Sequence, residues 1–179
     1  MPTSTRDARI PTLCVGALHA AHDAMIDLSL RGERLMTIDA TLQAPPEVIG
    51  PVPEGIRVNF FVTGGSFEGP RLRGRLRTVG QDAFLLRRDG MGQLEVLLTL
   101  ETDDGALVEA RYDGIGDFGE GSYEGFLRGE LPERASLHTF PRLRTAHPSY
   151  QWLQRLACVG VGSVDLLRSE VRYEIYSLG

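Results

Sequence analysis

From Leu35 onward the chain alternates apolar and polar residues with a period of two. In Ile56-Arg57-Val58-Asn59-Phe60 every second side chain is apolar, and Leu94, Val96, Leu98 and Leu100 form an apolar series opposed by Glu95, Thr99 and Glu101. That period sends successive side chains to opposite faces of a strand, one face buried and the other wet. The runs MTIDATL, IRVNFFV, LRGRLRT, AFLLRR, LEVLLTLE, ALVEARY, YEGFLRG, ASLHTF and VRYEIYS all read as short strands. Turn clusters such as APPE, GPVPEG, RDGMG and TDDG separate them. Arg88-Asp89-Gly90 and Asp103-Asp104-Gly105 carry the Asp-Gly signal of tight hairpin turns with positive φ. Short strands at this spacing predict an all-β domain, an antiparallel barrel or sandwich. Late in the chain only Ser149 to Leu156 (SYQWLQRL) reads as a helix, of one or two turns.

Residues 1–33 follow a different pattern. PTLCVGALHAAHDAMIDLSL spaces alanine and leucine loosely as a helix does, with none of the later turn signals. The expected division is therefore a short N-terminal helical extension over 1–33 and a β domain over 34–179.

The stretch Gly64 to Gly74, GGSFEGPRLRG, has the glycine content of a phosphate-gripping loop. Such a loop needs a helix directly after it, whereas here Arg71, Arg73, Arg75 and Arg77 alternate with Leu72, Gly74 and Leu76 as a strand. Glycines inside a strand mark a bulge, a bend or a close approach of backbone. The stretch is expected to bend the sheet, and the four arginines to share a solvated face paired with acidic neighbours. An anion-binding ladder, or a docking face for an acidic protein, is the functional alternative.

Composition narrows the chemistry. All 19 basic residues are arginine, so a Schiff-base, P-loop or kinase-type lysine is excluded. A net charge of −5 argues against a general nucleic-acid partner. No apolar run approaches the length of a membrane span. Cys14 and Cys158 match no metal spacing, and so sparse a cysteine content suits a reduced, cytoplasmic protein. The Ile10 to Ala21 segment is too short and too broken by Pro11 and His19 for a secretory leader. Gly114-Ile115-Gly116-Asp117-Phe118-Gly119 spells a dinucleotide fingerprint and contains Asp-Phe-Gly, but EGSYEGFLRG after it reads as strand where a helix is required. Asp113, Asp117 and Glu120 lack the spacing of a calcium loop. His19 and His22 could share a helix face, yet no third ligand is spaced to join them, so no metal site is expected.

The run PEGIRVNFFVTGGSFEGPRLRG, followed by GQD, RRDG, TDDGALVEARYDG and SYQWLQRLACVGVG, resembles the bacterial domain-of-unknown-function 3237 family. The resemblance spans about residues 35 to 178, with the GG-x-F-EGP-x-L-x-G block as its most specific part. It implies a closed antiparallel β-barrel, here of about 8–10 strands, with a central cavity. It also implies cofactor-independent conversion of small aromatic compounds, as is associated with a few members. This chain departs from the family pattern in three places. Leu137-His138-Thr139 stands where an arginine often follows an aromatic, Asp82-Ala83 where Asp-Trp is common, and Trp152-Leu153-Gln154 where Trp-Leu-Asn is usual.

The candidate site follows. His138 lies in a strand with the parity of Ser136 and Phe140, and its imidazole can exchange a proton near neutrality if that face points into the barrel. Asp82 opens the AFLLRR strand as a turn cap or a general base. Tyr112 supplies a weak acid, and with Arg111 it is expected to line the pocket together with Phe140. Trp152 offers a stacking face, and Arg57 an ion-pair partner. The expectation is a cofactor-free lyase, isomerase or cyclase acting on an apolar or aromatic metabolite in the lumen, with His138, Asp82 and Tyr112 as catalytic residues and Arg57, Arg111, Phe140 and Trp152 binding substrate. A non-catalytic binding protein for an apolar small molecule is the alternative. No cofactor is implied, and a homodimer through a barrel face or the N-terminal segment is compatible with the pattern.

Overall fold

The computed structural model describes residues 32–178. The expected N-terminal helix, Cys14, His19 and His22 lie outside the described residues.

Ten strands form one antiparallel sheet: β1 (Gly32–Leu42), β2 (Glu47–Val52), β3 (Gly55–Glu68), β4 (Arg73–Leu76), β5 (Gln81–Leu86), β6 (Met91–Thr102), β7 (Leu107–Asp117), β8 (Arg134–Arg144), β9 (Ala157–Asp165) and β10 (Glu170–Leu178). From β6 to β10 neighbours in sequence pair in space, β10 pairs β1, and β1 pairs the second half of β3. That last pairing closes the barrel. The register shows that the ten strands occupy eight positions. β5 and β4 pair successive parts of β3, Ile56 with Leu86 through to Glu68 with Arg73, so they are one strand interrupted at 77–80. β2 and β1 likewise take successive parts of β3, with Glu47 opposite Asn59 and Leu42 opposite Val62. The expected closed antiparallel barrel is the fold found.

Two glycines of GGSFEGPRLRG make the closure sterically possible. Gly65 has φ +139°, and a Cβ there would lie 2.2 Å from the Asp39 carbonyl oxygen on β1. A Cβ at Gly74 would lie 2.1 Å from the Glu101 carbonyl oxygen on β6. Neither backbone contact leaves room for a side chain. The neighbouring arginines face outward. Arg75 and Arg77 each place a guanidinium nitrogen 2.8 Å from a carboxylate oxygen of Glu101, and Arg73 pairs with Asp103 at 2.8 Å. The two guanidiniums hold the Glu101 carboxyl below its usual range. Arg71 instead stacks over the Trp152 ring, 3.7 Å from its centroid.

Four elements differ from the sequence reading. YEGFLRG, expected as a strand, instead supplies most of the short helix α1 (Ser122–Leu127), because Gly119 and Gly121 at φ +87° and +80° turn the chain away from the line of β7. A helix does therefore follow the G-x-G-x-x-G run. It is six residues long, and Gly114 and Gly116 lie inside β7, so the dinucleotide geometry is absent. β2 and β9 were masked in the sequence by Gly50 and Pro51, and by Gly160 and Gly162, which read as turn or irregular positions. The helix expected at 149–156 is a 3-10 segment, Pro148–Arg155, which buries Leu153 at one end of the barrel. No helix among the described residues is long and apolar enough to cross a membrane.

The two ends of the barrel are filled differently. At the end capped by the 3-10 segment, Phe67, Met36, Leu100, Val108, Leu153 and Ile175 are almost wholly buried and pack the interior. At the end carrying α1 the wall residues leave a cavity. Gly65→Ala is expected to lower stability by at least about 2 kcal/mol, since both its positive φ and the close approach of β1 are lost. Equilibrium urea unfolding checks this; an unchanged midpoint would show that the seam tolerates a side chain.

Candidate functional site

The cavity takes its walls from the inward positions of the strands. Alternation in β6 sends Leu94, Val96 and Leu98 inward, and the same logic supplies Ile38 and Ala40 from β1, Phe60 and Val62 from β3, and Tyr173 from β10. The cavity has a volume of about 50 Å³. Phe60, Phe84 and Phe118 form one aromatic wall, with ring centroids 5.7 Å apart for the first pair and 5.1 Å for the second.

Into this apolar surface the fold inserts one carboxyl and two phenols. Asp82 on β5 and Tyr112 on β7 both face Val96 of β6 across their ladders, so they stand on one level of the wall two strands apart. Tyr173 comes from the opposite wall, its ring edge-on to Tyr112 with centroids 5.9 Å apart. The Asp82 carboxylate accepts a hydrogen bond from the Glu95 backbone N–H at 2.9 Å. Burial pushes its pKa up to about 7, the Glu95 charge adds to that, and the Glu95 N–H and the Arg57 guanidinium oppose it. Burial also pushes the Tyr112 hydroxyl up, with the Asp82 charge assisting, and Tyr173 well up for the same reasons. Both phenols are therefore fixed as protonated donors, while Asp82 is poised to hold or release a proton near neutrality.

The residues singled out from the sequence separate into two groups. Asp82 and Tyr112 meet in the lumen. His138 does not. In β8 the inward positions are Ala135, Leu137, Thr139 and Leu143, and His138 sits on the exposed face between Ile115 and Val161. Phe140 shares that face and is 60% exposed, and Arg111 is exposed opposite Arg142. The condition for a lumenal role of His138, a face pointing inward, is not met. Arg57 lies on the other side of β3 from the cavity, its guanidinium donating to the Ala83 carbonyl at 2.9 Å. Trp152 is at the opposite end, donating from its indole N–H to the Ser149 carbonyl at 3.1 Å beneath Arg71. Sequence reasoning missed Tyr173, although its parity with Val171 and Ile175 in VRYEIYS already placed it on the apolar face. Among the described residues no group of three or more His, Cys, Asp or Glu side chains is arranged for a metal.

Fold and cavity together define a small closed β-barrel with an apolar, one-ended lumen holding an acid of raised pKa. The chain belongs to the family of proteins of unknown function DUF3237, whose model matches residues 31–178. It is 33% identical over 113 residues to a UPF0311 protein of Rhodopseudomonas palustris, covering 62% of this chain and 74% of that one. The crystal structure of the conserved protein of unknown function RPA1785 from Rhodopseudomonas palustris superposes with a TM-score of 0.74 at 27% identity, over 84% of this chain and 99% of that one. An Acinetobacter baumannii structure described as a beta-barrel like protein gives 0.70 at 27% identity, with 84% and 96% covered. A structure described as an enzyme from Penicillium herquei shares the fold at a TM-score of 0.57 and 17% identity, covering 84% and 95%.

An acid whose native pKa stands above its unfolded value of 3.8 lends stability that is complete below that value and is lost as pH rises through about 7. Asp82→Asn removes this titration and keeps an acceptor for the Glu95 N–H. Thermal melts of the two proteins should coincide near pH 4. By pH 8 the Asn variant should be the more stable, by about 1–3 kcal/mol once partial contact with solvent at the mouth is allowed for. A constant difference across that range would show that Asp82 titrates normally.

Proposed function

We propose that this protein is a cofactor-independent enzyme that performs acid/base chemistry on a small apolar or aromatic molecule held in the barrel lumen. A single observation carries the reading: a carboxyl whose pKa is raised to about 7 is set in the wall of an apolar cavity. General acid/base catalysis is most effective when the group's pKa lies near the working pH. Asp82 is the proton-transfer group, and Tyr112 assists by donating a hydrogen bond to oxygen on the substrate. The aromatic wall of Phe60, Phe84 and Phe118 orients a planar ligand in the place first assigned to Trp152. His138 has no part in this scheme because it faces away from the cavity. Lyase, isomerase and cyclase reactions can each be initiated by such a proton transfer. That a barrel of the same fold from Penicillium herquei is described as an enzyme is consistent with the proposal.

Mass spectrometry of compounds retained through native purification would supply the substrate, and chromatographic assay of its conversion would supply the rate. Asp82→Asn should lower that rate by about 10²-fold or more, in keeping with general acid/base contributions, with ligand retention preserved. Equal rates for the two proteins would remove Asp82 from the chemistry. Retention of one unchanged compound by both, with no product at any pH from 6 to 9, would make the protein a carrier or sensor.

A further inference from the structure

The polar side chains of the lumen carry no positive charge among the described residues. Asp82, Tyr112, Tyr173 and Gln81 line it, and among the described residues no arginine or histidine does. Arg57, the one guanidinium that influences Asp82, is turned to the Ala83 carbonyl on the other side of the wall. Tyr112 and Tyr173 are 5% and 3% exposed. What acts on their hydroxyls is burial and neighbouring charge, with no hydrogen bond from any described residue. Two buried phenols, both protonated and neither hydrogen-bonded to another described side chain or backbone group, face one cavity from opposite walls.

These groups discriminate between ligand charges. A carboxylate or phosphate would shed its hydration, meet no cation, and sit beside an acid able to ionise. An ammonium would satisfy Asp82 but offer the two hydroxyls nothing to donate to, since it has no acceptor. A hydrocarbon would leave both hydroxyls unpaired, which is costly in a dry site. An uncharged molecule carrying a carbonyl, or an oxygen of similar accepting power, gives both hydroxyls an acceptor and brings no charge against Asp82. We propose that the lumen selects uncharged ligands with a hydrogen-bond-accepting oxygen, which is received between the Tyr112 and Tyr173 hydroxyls. The proposal rests on the reading of the lumen as the ligand site and names the ligand class that site accepts. It also gives Tyr173 a role, as the second hydroxyl that seats the oxygen.

Acetophenone, benzoate and isopropylbenzene share a ring and differ in charge and acceptor. Each is titrated into the full chain at pH 8, and the methyl resonances of Leu94, Val96, Leu98 and Val164 report occupancy of the lumen. Acetophenone should shift these signals saturably, and benzoate should bind at least about tenfold more weakly. In the Tyr112→Phe/Tyr173→Phe double variant acetophenone should weaken by about tenfold or more, each net hydrogen bond being equivalent to roughly threefold to tenfold. Isopropylbenzene should stay within about threefold, which also shows that the variant keeps its fold. Benzoate binding as tightly as acetophenone would overturn the proposal, as would a double variant that weakens both uncharged probes alike or neither. Should the variant fail to fold, the comparison of benzoate with acetophenone in the unaltered protein decides alone. If all three probes bind equally, the lumen reading stands and charge selection falls. If none moves the lumen methyls, both fall.

Discussion

The pairing of β1 with the second half of β3 is the contact on which the remaining architecture depends. Without it the sheet would be open, its edge strands bare and its inward face accessible to water. The pairing needs the β3 backbone to pass so close to β1 that a Cβ at Gly65 would lie 2.2 Å from a carbonyl oxygen. Closure turns an ordinary apolar sheet face into an enclosed lumen. Inside this lumen the half-buried Asp82 carboxyl loses solvation, which raises its pKa to about 7. The glycine block thus governs the chemistry of Asp82 without touching it.

The second organising feature is the unequal filling of the barrel. One half is packed by Phe67, Met36, Leu100 and Leu153, and closed by the 3-10 segment under the Arg71–Trp152 stack. The other half is hollow, and the three lumenal groups Asp82, Tyr112 and Tyr173 are gathered there. Outside, arginines meet carboxylates at 2.8 Å along β4 and β6, pairs whose exposure makes each worth little to stability. Polar groups on the outer wall pair with one another across strands, and those on the inner wall face the cavity.

Much of this was legible in the letters. The period of two in β3 and β6 identified strands and their buried faces, the Asp-Gly turns named the hairpins, and the glycine block marked a bend. Gly90 and Gly105 do adopt positive φ, at +79° and +84°. β2 and β9 were hidden because glycine and proline interrupt their alternation, and α1 because two left-handed glycines redirect a chain whose residues suit either state. The site was half legible. Asp82 and Tyr112 were found by residue chemistry, and both lie in the cavity. His138 was misplaced because parity within one strand shows which residues share a face but not which face looks inward. Leu137 and Thr139 settle that by being buried. Tyr173 was overlooked because a tyrosine among apolar residues reads first as core.

The account's central claim is that closure of the barrel holds the Asp82 carboxyl in an environment dry enough to move its titration to neutrality. Carbon-detected NMR titration of the aspartate side-chain carboxyls from pH 3 to 9, with the Asp82→Asn variant assigning the resonance, measures this directly. A midpoint near 7 for Asp82 is the result expected. A midpoint for Asp82 at the ordinary aspartate value of about 4 would mean that water reaches the carboxyl freely and would contradict the account.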